Sequence, residues 1–304
     1  MTEPARDGDV LRIDGGTATE LQRAGIAVES PWWTTRALLT DKNRTVLSGI
    51  HQRFLAGGAQ VLTANTFRCN LRSLRALGLD GAGLGWMVHA AVGVAKSARQ
   101  AAGSDAVIAG SMAPVADCYR PDLVPNDDEL RAEHQWLATE LMRSGVDIVL
   151  IETMNSIREA RIALEQVLAA GGVAWVSFVC ADGARLLSGE PLADAARAVE
   201  RDGADGVLVN CAPLETTEAC LAELSDSCDV RFGAYPNVED RLAERAADGD
   251  GFPAAVSPAD FAATLRRWHG EYGASLLGGC CGSGPDHIAA VGEFGSAPRA
   301  VASS

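Results

Sequence analysis

Apolar positions along this chain alternate between two patterns. Short runs that are apolar almost throughout are followed by longer stretches in which apolar residues return every three to four positions. The short runs fall at residues 10–13, 60–64, 106–111, 147–153, 173–179, 206–211 and 230–234, with a last one at Leu276 and Leu277. Near-continuous apolar runs predict strands buried on both faces, as in a parallel sheet. The intervening stretches predict helices. One covers 17–24. The next is capped by Asp41, turns Val46, Ile50 and Phe54 inward, and stops at Gly57 and Gly58. A third runs over 81–102 with Leu84, Val88, Ala91 and Ala95 on one face. A fourth is capped near Asp127, with Leu130, Leu137 and Leu141 inward. Ser156 and Glu159 predict a capping box at the next start. Further helices are predicted over 191–202, from Ser257-Pro258 with Phe261, Leu265 and Trp268 inward, and from Pro285.

Eight strands mostly separated by helices predict a single (β/α)8 TIM-type barrel over residues 1–294, with 295–304 as a flexible tail. A doubly wound open sheet is the alternative, but no G-x-G-x-x-G follows the first strand. The chain has 304 residues, 47% of them hydrophobic, enough for one large core. Its formal charge of −14 argues against nucleic acid and against an anionic membrane surface as partners. No secretory signal opens the chain, no run approaches a membrane span, and the eight cysteines are irregularly spaced. A reducing, cytoplasmic setting is expected. A homo-oligomer is compatible with the pattern.

In a barrel, the loops at the C-terminal ends of the strands build the active site. Asp14 follows the first strand and Thr66-Phe67-Arg68 the second; Glu152 ends the fourth, and Cys211 the sixth. Tyr235-Pro236-Asn237 follows the seventh, and Cys280-Cys281 the eighth. Adjacent cysteines rarely bond to each other, but both reach one ion if the backbone bends, and the glycines around them permit that. Two small buried residues in a tight turn are the alternative. Cys211 supplies a third sulfur, and three cysteines with an open fourth position describe a zinc site suited to chemistry. Three thiolates weaken the Lewis acidity of such an ion, which suits activation of a substrate thiol better than of water. Only five histidines occur, none at a predicted strand end, which counts against a hydrolase.

Asp14-Gly15-Gly16, Asn65-Thr66-Phe67, Glu152-Thr153, Asn210-Cys211, Tyr235-Pro236-Asn237 and Gly278-Gly279-Cys280-Cys281, with Pro285 and His287-Ile288, resemble the homocysteine S-methyltransferase family. The resemblance spans nearly the whole chain. It implies a zinc-bearing barrel that methylates L-homocysteine to methionine, with Cys211, Cys280 and Cys281 on zinc and the substrate sulfur at the open position. It further implies that Asp14 and Glu152 hold the substrate ammonium, with backbone near Gly15 and Gly16 beside its carboxylate. Trp33 resembles the family's donor-side tryptophan; packing beneath its loop is the alternative. Phe67 and Tyr235 are further candidates for the wall, and Thr66 and Asn237 belong to the same motifs.

Arg68 stands where betaine-using relatives carry tyrosine. A permanent cation there opposes a quaternary ammonium donor unless it is paired or turned away, so a sulfonium donor is expected, S-methylmethionine or S-adenosylmethionine. The family's frequent Tyr-Pro-Asn-Ser-Gly-Glu run becomes Tyr235-Pro236-Asn237-Val238-Glu239-Asp240, so the loop after the seventh strand is expected to differ. Methylation of another thiol or a selenol, and a zinc-bearing barrel that binds a thiol without turnover, are the competing readings. Cys118-Tyr119-Arg120 in the third loop has no assigned role.

Overall fold

The computed structural model describes residues 10–239 and 254–294. In chain order the elements are β1 (Leu11–Arg12), α1 (Thr17–Arg23), α2 (Asp41–Ala56), β2 (Val61–Ala64), α3 (Leu71–Ala76), α4 (Gly81–Ala101), β3 (Val107–Met112), α5 (Asp127–Ser144), β4 (Ile148–Met154), α6 (Ile157–Ala169) and β5 (Ala174–Phe178). They continue with a hairpin of β6 (Cys180–Ala181) and β7 (Arg185–Leu186), then α7 (Leu192–Arg201), β8 (Gly206–Asn210), α8 (Leu214–Ser227), β9 (Arg231–Tyr235), α9 (Pro258–Tyr272), β10 (Leu276–Leu277) and α10 (Pro285–Val291).

Eight strands pair in parallel in the order β1-β10-β9-β8-β5-β4-β3-β2. A parallel bridge between Ile13 and Val61 joins the first strand to the second and closes the ring. This is the (β/α)8 barrel that the apolar pattern predicts. Its interior is plugged by one large cluster with one residue from each strand: Ile13, Val61, Ala109, Leu150, Trp175, Leu208, Tyr235 and Leu276. The second, larger core lies between strands and helices and includes Phe54, Ile50, Leu137, Leu141, Phe261, Leu265 and Trp268. The helical periodicities therefore mark the faces that pack on the barrel. Among the described residues no helix is long and apolar enough to cross a membrane.

Local details differ from the pattern in four places, the first being α8 (Leu214–Ser227), which is absent from the expected helices. Thr40, not Asp41, is the N-cap of α2: its side chain accepts from the Asn43 amide at 3.1 Å, and Asp41 is already helical. The capping box at α6 is half formed. Ser156 accepts from the Glu159 amide at 3.4 Å, but Glu159 is fully buried and turns to the loop after β3, accepting from the Val115 amide at 2.7 Å. The β6–β7 hairpin and α3 are too short to leave a periodic signal. The expected tail over 295–304, and the stretch from Asp240 onward in the loop after β9, lie outside the described residues.

Candidate active site

Side chains alternate along a strand, so the residue two positions beyond each inward apolar residue also faces inward. On five strands that residue is polar: Thr63, Ser111, Glu152, Ser177 and Asn210. A polar layer thus lies on the apolar plug at the C-terminal end of the barrel. Above it opens a cavity of about 290 Å³.

Two carboxyls are buried at its base. Asp14 is 2% exposed; one oxygen accepts from the Thr63 amide at 2.9 Å and the other from the Thr63 hydroxyl at 2.8 Å. Glu152 is 8% exposed and accepts from the Ser111 hydroxyl and, at 3.2 Å, from the Tyr235 hydroxyl. Burial pushes Asp14 up to about 7, against the pull of its Thr63 hydrogen bonds, with Glu152 nearby adding to the rise. Burial likewise pushes Glu152 up to about 7, against its hydrogen bonds from Ser111 and Tyr235. Two such acids sharing one pocket provide a seat for a cationic group.

The three cysteines converge beside them. Cys211, Cys280 and Cys281 place their sulfurs within 4.8 Å of one another, with 4.0 Å between the adjacent pair. An ion held tetrahedrally at about 2.3 Å sets its sulfurs roughly 3.8 Å apart, so this trio closes on one ion by moving about an ångström or less. The backbone builds that convergence. Cys211 sits in the left-handed region at φ 54°, which turns its side chain off the strand direction. The Cys280 amide donates to the Pro236 carbonyl at 2.8 Å, and the Cys281 carbonyl accepts from the Val238 amide at 2.9 Å. Gly279 lets this turn lie against its neighbour: a Cβ there would stand 2.2 Å from the Ser283 hydroxyl. The Gly279 amide also donates to the Asp14 carbonyl at 3.1 Å, joining the sulfur end of the site to the carboxyl end.

Asn210, at the end of β8, ties the ends of β4 and β5 to its own strand. Its carboxamide oxygen accepts from the Thr153 amide at 3.0 Å and the Ser177 hydroxyl at 2.7 Å, and its nitrogen donates to the Thr153 hydroxyl at 2.8 Å. Thr153 is itself left-handed at φ 60°. The side chain therefore fixes a strained residue next to Glu152 while its own backbone leads into Cys211. Asn210→Ala strands the buried Thr153 amide and is expected to cost about 3 kcal/mol of stability by chemical unfolding. Catalytic activity should fall as well. An unchanged unfolding midpoint would show that this clamp is dispensable.

Outside these groups, Trp33, Phe67, Arg68, Cys118 and Tyr119 complete the wall. None of the five histidines lines the cavity.

A family model described as homocysteine S-methyltransferase matches residues 11–294. The chain belongs to the homocysteine S-methyltransferase family. It is 28% identical to homocysteine S-methyltransferase YbgG of Bacillus subtilis, over 94% of each chain. It is 27% identical to the selenocysteine Se-methyltransferase of Brassica oleracea var. italica, covering 93% of this chain and 88% of that one. The crystal structure of the homocysteine methyltransferase MmuM from Escherichia coli, in a metallated form, superposes with a TM-score of 0.79 at 26% identity, covering 94% of this chain and 96% of that one.

Most residues that carry the family resemblance meet in the cavity: Asp14, Gly15, Gly16, Trp33, Phe67, Glu152, Tyr235 and the three cysteines. Thr66 does not reach it. The Thr66 hydroxyl is fully buried, donating to the Ser111 carbonyl at 2.8 Å and accepting from the Ser111 amide at 2.9 Å, so it links the ends of β2 and β3. Asn237 also stands outside the lining and donates to the Cys211 carbonyl at 3.0 Å. The Thr66 hydroxyl is thus committed to backbone as donor and acceptor, whereas only the nitrogen of the Asn237 carboxamide is; among the described residues its buried oxygen has no hydrogen-bond partner. The Gly16 amide already donates to the Ser283 carbonyl at 3.0 Å, so it too is taken. Thr63, Ser111 and Ser177 were absent from the sequence-based candidates, although their two-residue offset from Val61, Ala109 and Trp175 marks them. Glu159 has no such signal; its role in holding the loop that carries Cys118 and Tyr119 arises only from contacts across the fold.

Proposed function

We propose that this chain transfers the methyl group of S-methylmethionine to the thiol of L-homocysteine. The observation that carries the reading is the convergence of three cysteine sulfurs beside two buried carboxyls in a member of this family. Cys211, Cys280 and Cys281 would hold zinc, the ion that an all-thiolate trio with an open fourth position suits best. Zinc there would supply one thing, a lowered pKa for the homocysteine thiol, so that its sulfur reacts as a thiolate.

The rest falls to the chain's own groups. Asp14 and Glu152, both ionised, take the homocysteine ammonium, and Thr63, Ser111 and Tyr235 hold those carboxylates in place. The Gly15 backbone lies beside the acceptor carboxylate. With its proton released to water, the acceptor sulfur forms a bond to the donor's methyl carbon as the methyl–sulfonium bond breaks. One methionine forms from each partner. The acceleration comes chiefly from holding sulfur and methyl in line in a pocket that excludes water. A cavity of about 290 Å³ lies at the small end for ligand sites. That favours S-methylmethionine over S-adenosylmethionine, which carries an added nucleoside.

The test is direct. Reduced, zinc-loaded protein is incubated with homocysteine and, in separate tubes, methyl-labelled S-methylmethionine, S-adenosylmethionine or betaine, and the products are read by mass spectrometry. Labelled methionine from S-methylmethionine is expected. Its absence from every tube, with zinc bound, would refute the reaction. The likeness to a selenocysteine Se-methyltransferase makes a selenol the second acceptor to consider, and competition between homocysteine and selenocysteine decides between them.

A further inference from the structure

Arg68 is the one cationic side chain lining the cavity among the described residues. The rest of the wall offers Asp14, Glu152 and thiols, so a guanidinium here is out of keeping with its surroundings unless it has a task. It is neither paired nor turned away. Its central carbon lies 5.3 Å from the ring centre of Trp33 and 5.1 Å from that of Phe67. Among the described residues it makes no hydrogen bond or ion pair; Asp14 is held by Thr63, and Glu152 by Ser111 and Tyr235.

Two consequences follow from that placement. The aromatic faces that would hold a bare onium group are already occupied by a cation. The two rings hold the guanidinium by cation–π contact, and its N–H groups, which lie in the guanidinium plane and have no partner among the described residues, remain to receive a planar anion. A carboxylate is the natural match for that fork.

We infer that Arg68 binds the carboxylate of the methyl donor and so selects an amino-acid sulfonium over a sulfonium that lacks a carboxylate; this rests on the sulfonium-to-homocysteine reading. Depth in the cavity separates donor from acceptor. The acceptor's anchors, Asp14 and Glu152, are 2% and 8% exposed at the base. Arg68 stacks on Trp33, which is 41% exposed and forms the rim with Tyr119 at 43%. The acceptor is seated first and deep, and the donor closes over it from the rim. A donor with no carboxylate would bring its positive charge to an uncompensated guanidinium, so the same residue attracts one class and repels the other.

The probes are S-methylmethionine and its decarboxylated counterpart, (3-aminopropyl)dimethylsulfonium, at saturating homocysteine, with wild type, Arg68→Met and Arg68→Lys. Wild type should prefer S-methylmethionine by about 100-fold in kcat/KM, as expected for a charge-assisted bidentate contact. Arg68→Met should lose about 10- to 100-fold with S-methylmethionine, mostly in donor KM, and gain several-fold with the decarboxylated donor, which is no longer repelled; Arg68→Lys should recover part of the loss. The homocysteine KM should not move. An equal loss with both donors would reduce Arg68 to a packing role, and a raised homocysteine KM would move its carboxylate to the acceptor; either overturns the inference. Calorimetric titration of wild type with each sulfonium decides the case without variants or turnover: equal affinity for the two refutes the inference. Absence of methyl transfer in wild type from both donors refutes the reaction instead, while the titration still reports on Arg68.

Discussion

Cys280→Ser is expected to fold as a barrel, fail to retain zinc and lose about a thousandfold or more of its methyl transfer. A serine hydroxyl does not ionise near neutral pH, so the ion is left with two thiolates. The fold should survive because the Cys280 main chain does the structural work: its amide is bonded to Pro236 and its carbonyl accepts from the Ser283 amide at 3.1 Å. Cys211→Ser and Cys281→Ser should behave alike, since each removes one of three equivalent sulfurs. The metal-free site has its own pH dependence. Hydrogen bonding with the sulfurs of Cys211 and Cys281, followed by burial, holds the Cys280 thiol well above its ordinary range. Zinc must therefore displace protons to bind, and its retention against a chelator should weaken as the pH falls. Metal content by mass spectrometry, read beside turnover, checks both statements. Full zinc and full activity in any one of the three variants would remove the metal site from the mechanism.

Glu152→Gln should raise the homocysteine KM about 10- to 100-fold and, at pH 8, make the protein more stable than wild type. The two effects share one cause. Burial raises the Glu152 carboxyl from 4.5 to about 7. Between those values the folded protein binds more protons than the unfolded chain, so wild-type stability falls as the pH rises through that window. At pH 8 the ionised carboxylate opposes folding by on the order of 3 kcal/mol, and glutamine removes that cost. Near pH 4 the carboxyl is neutral in the folded protein, and the gain should vanish. In the proposed reaction the ammonium of homocysteine compensates that buried charge. The wild-type homocysteine KM should accordingly fall as the pH rises through about 7, and Glu152→Gln should flatten that profile to the part set by Asp14, which is also pushed up to about 7. Thermal unfolding at pH 4 and pH 8 together with the pH profile of KM decides the case. A variant with unchanged KM, or one less stable than wild type at pH 8, would mean that Glu152 is a structural acid.

The sequence by itself determined more here than single side chains usually allow. Near-continuous apolar runs alternating with helical periods specify eight buried parallel strands, because only strands covered on both faces can be apolar throughout. That architecture puts every strand end at one mouth, so Asp14, Glu152, Cys211, Cys280 and Cys281 were legible as neighbours from their positions alone. Tertiary structure decided which side chains at that mouth are free. Thr66 and Asn237 sit in the same motifs as the residues that line the cavity, yet the Thr66 hydroxyl is taken by Ser111 and the Asn237 nitrogen by the Cys211 carbonyl. Thr63, Ser111 and Ser177 read as ordinary strand residues until the barrel closes and sets them in one layer with the carboxyls and Asn210. Arg68 reads as a misplaced charge until Trp33, 35 positions earlier, is seen to stack on it. Periodicity fixes which face of an element a residue occupies. The register between strands, set only when the ring closes, fixes the distances across the mouth, and hydrogen bonding and stacking both depend on those distances.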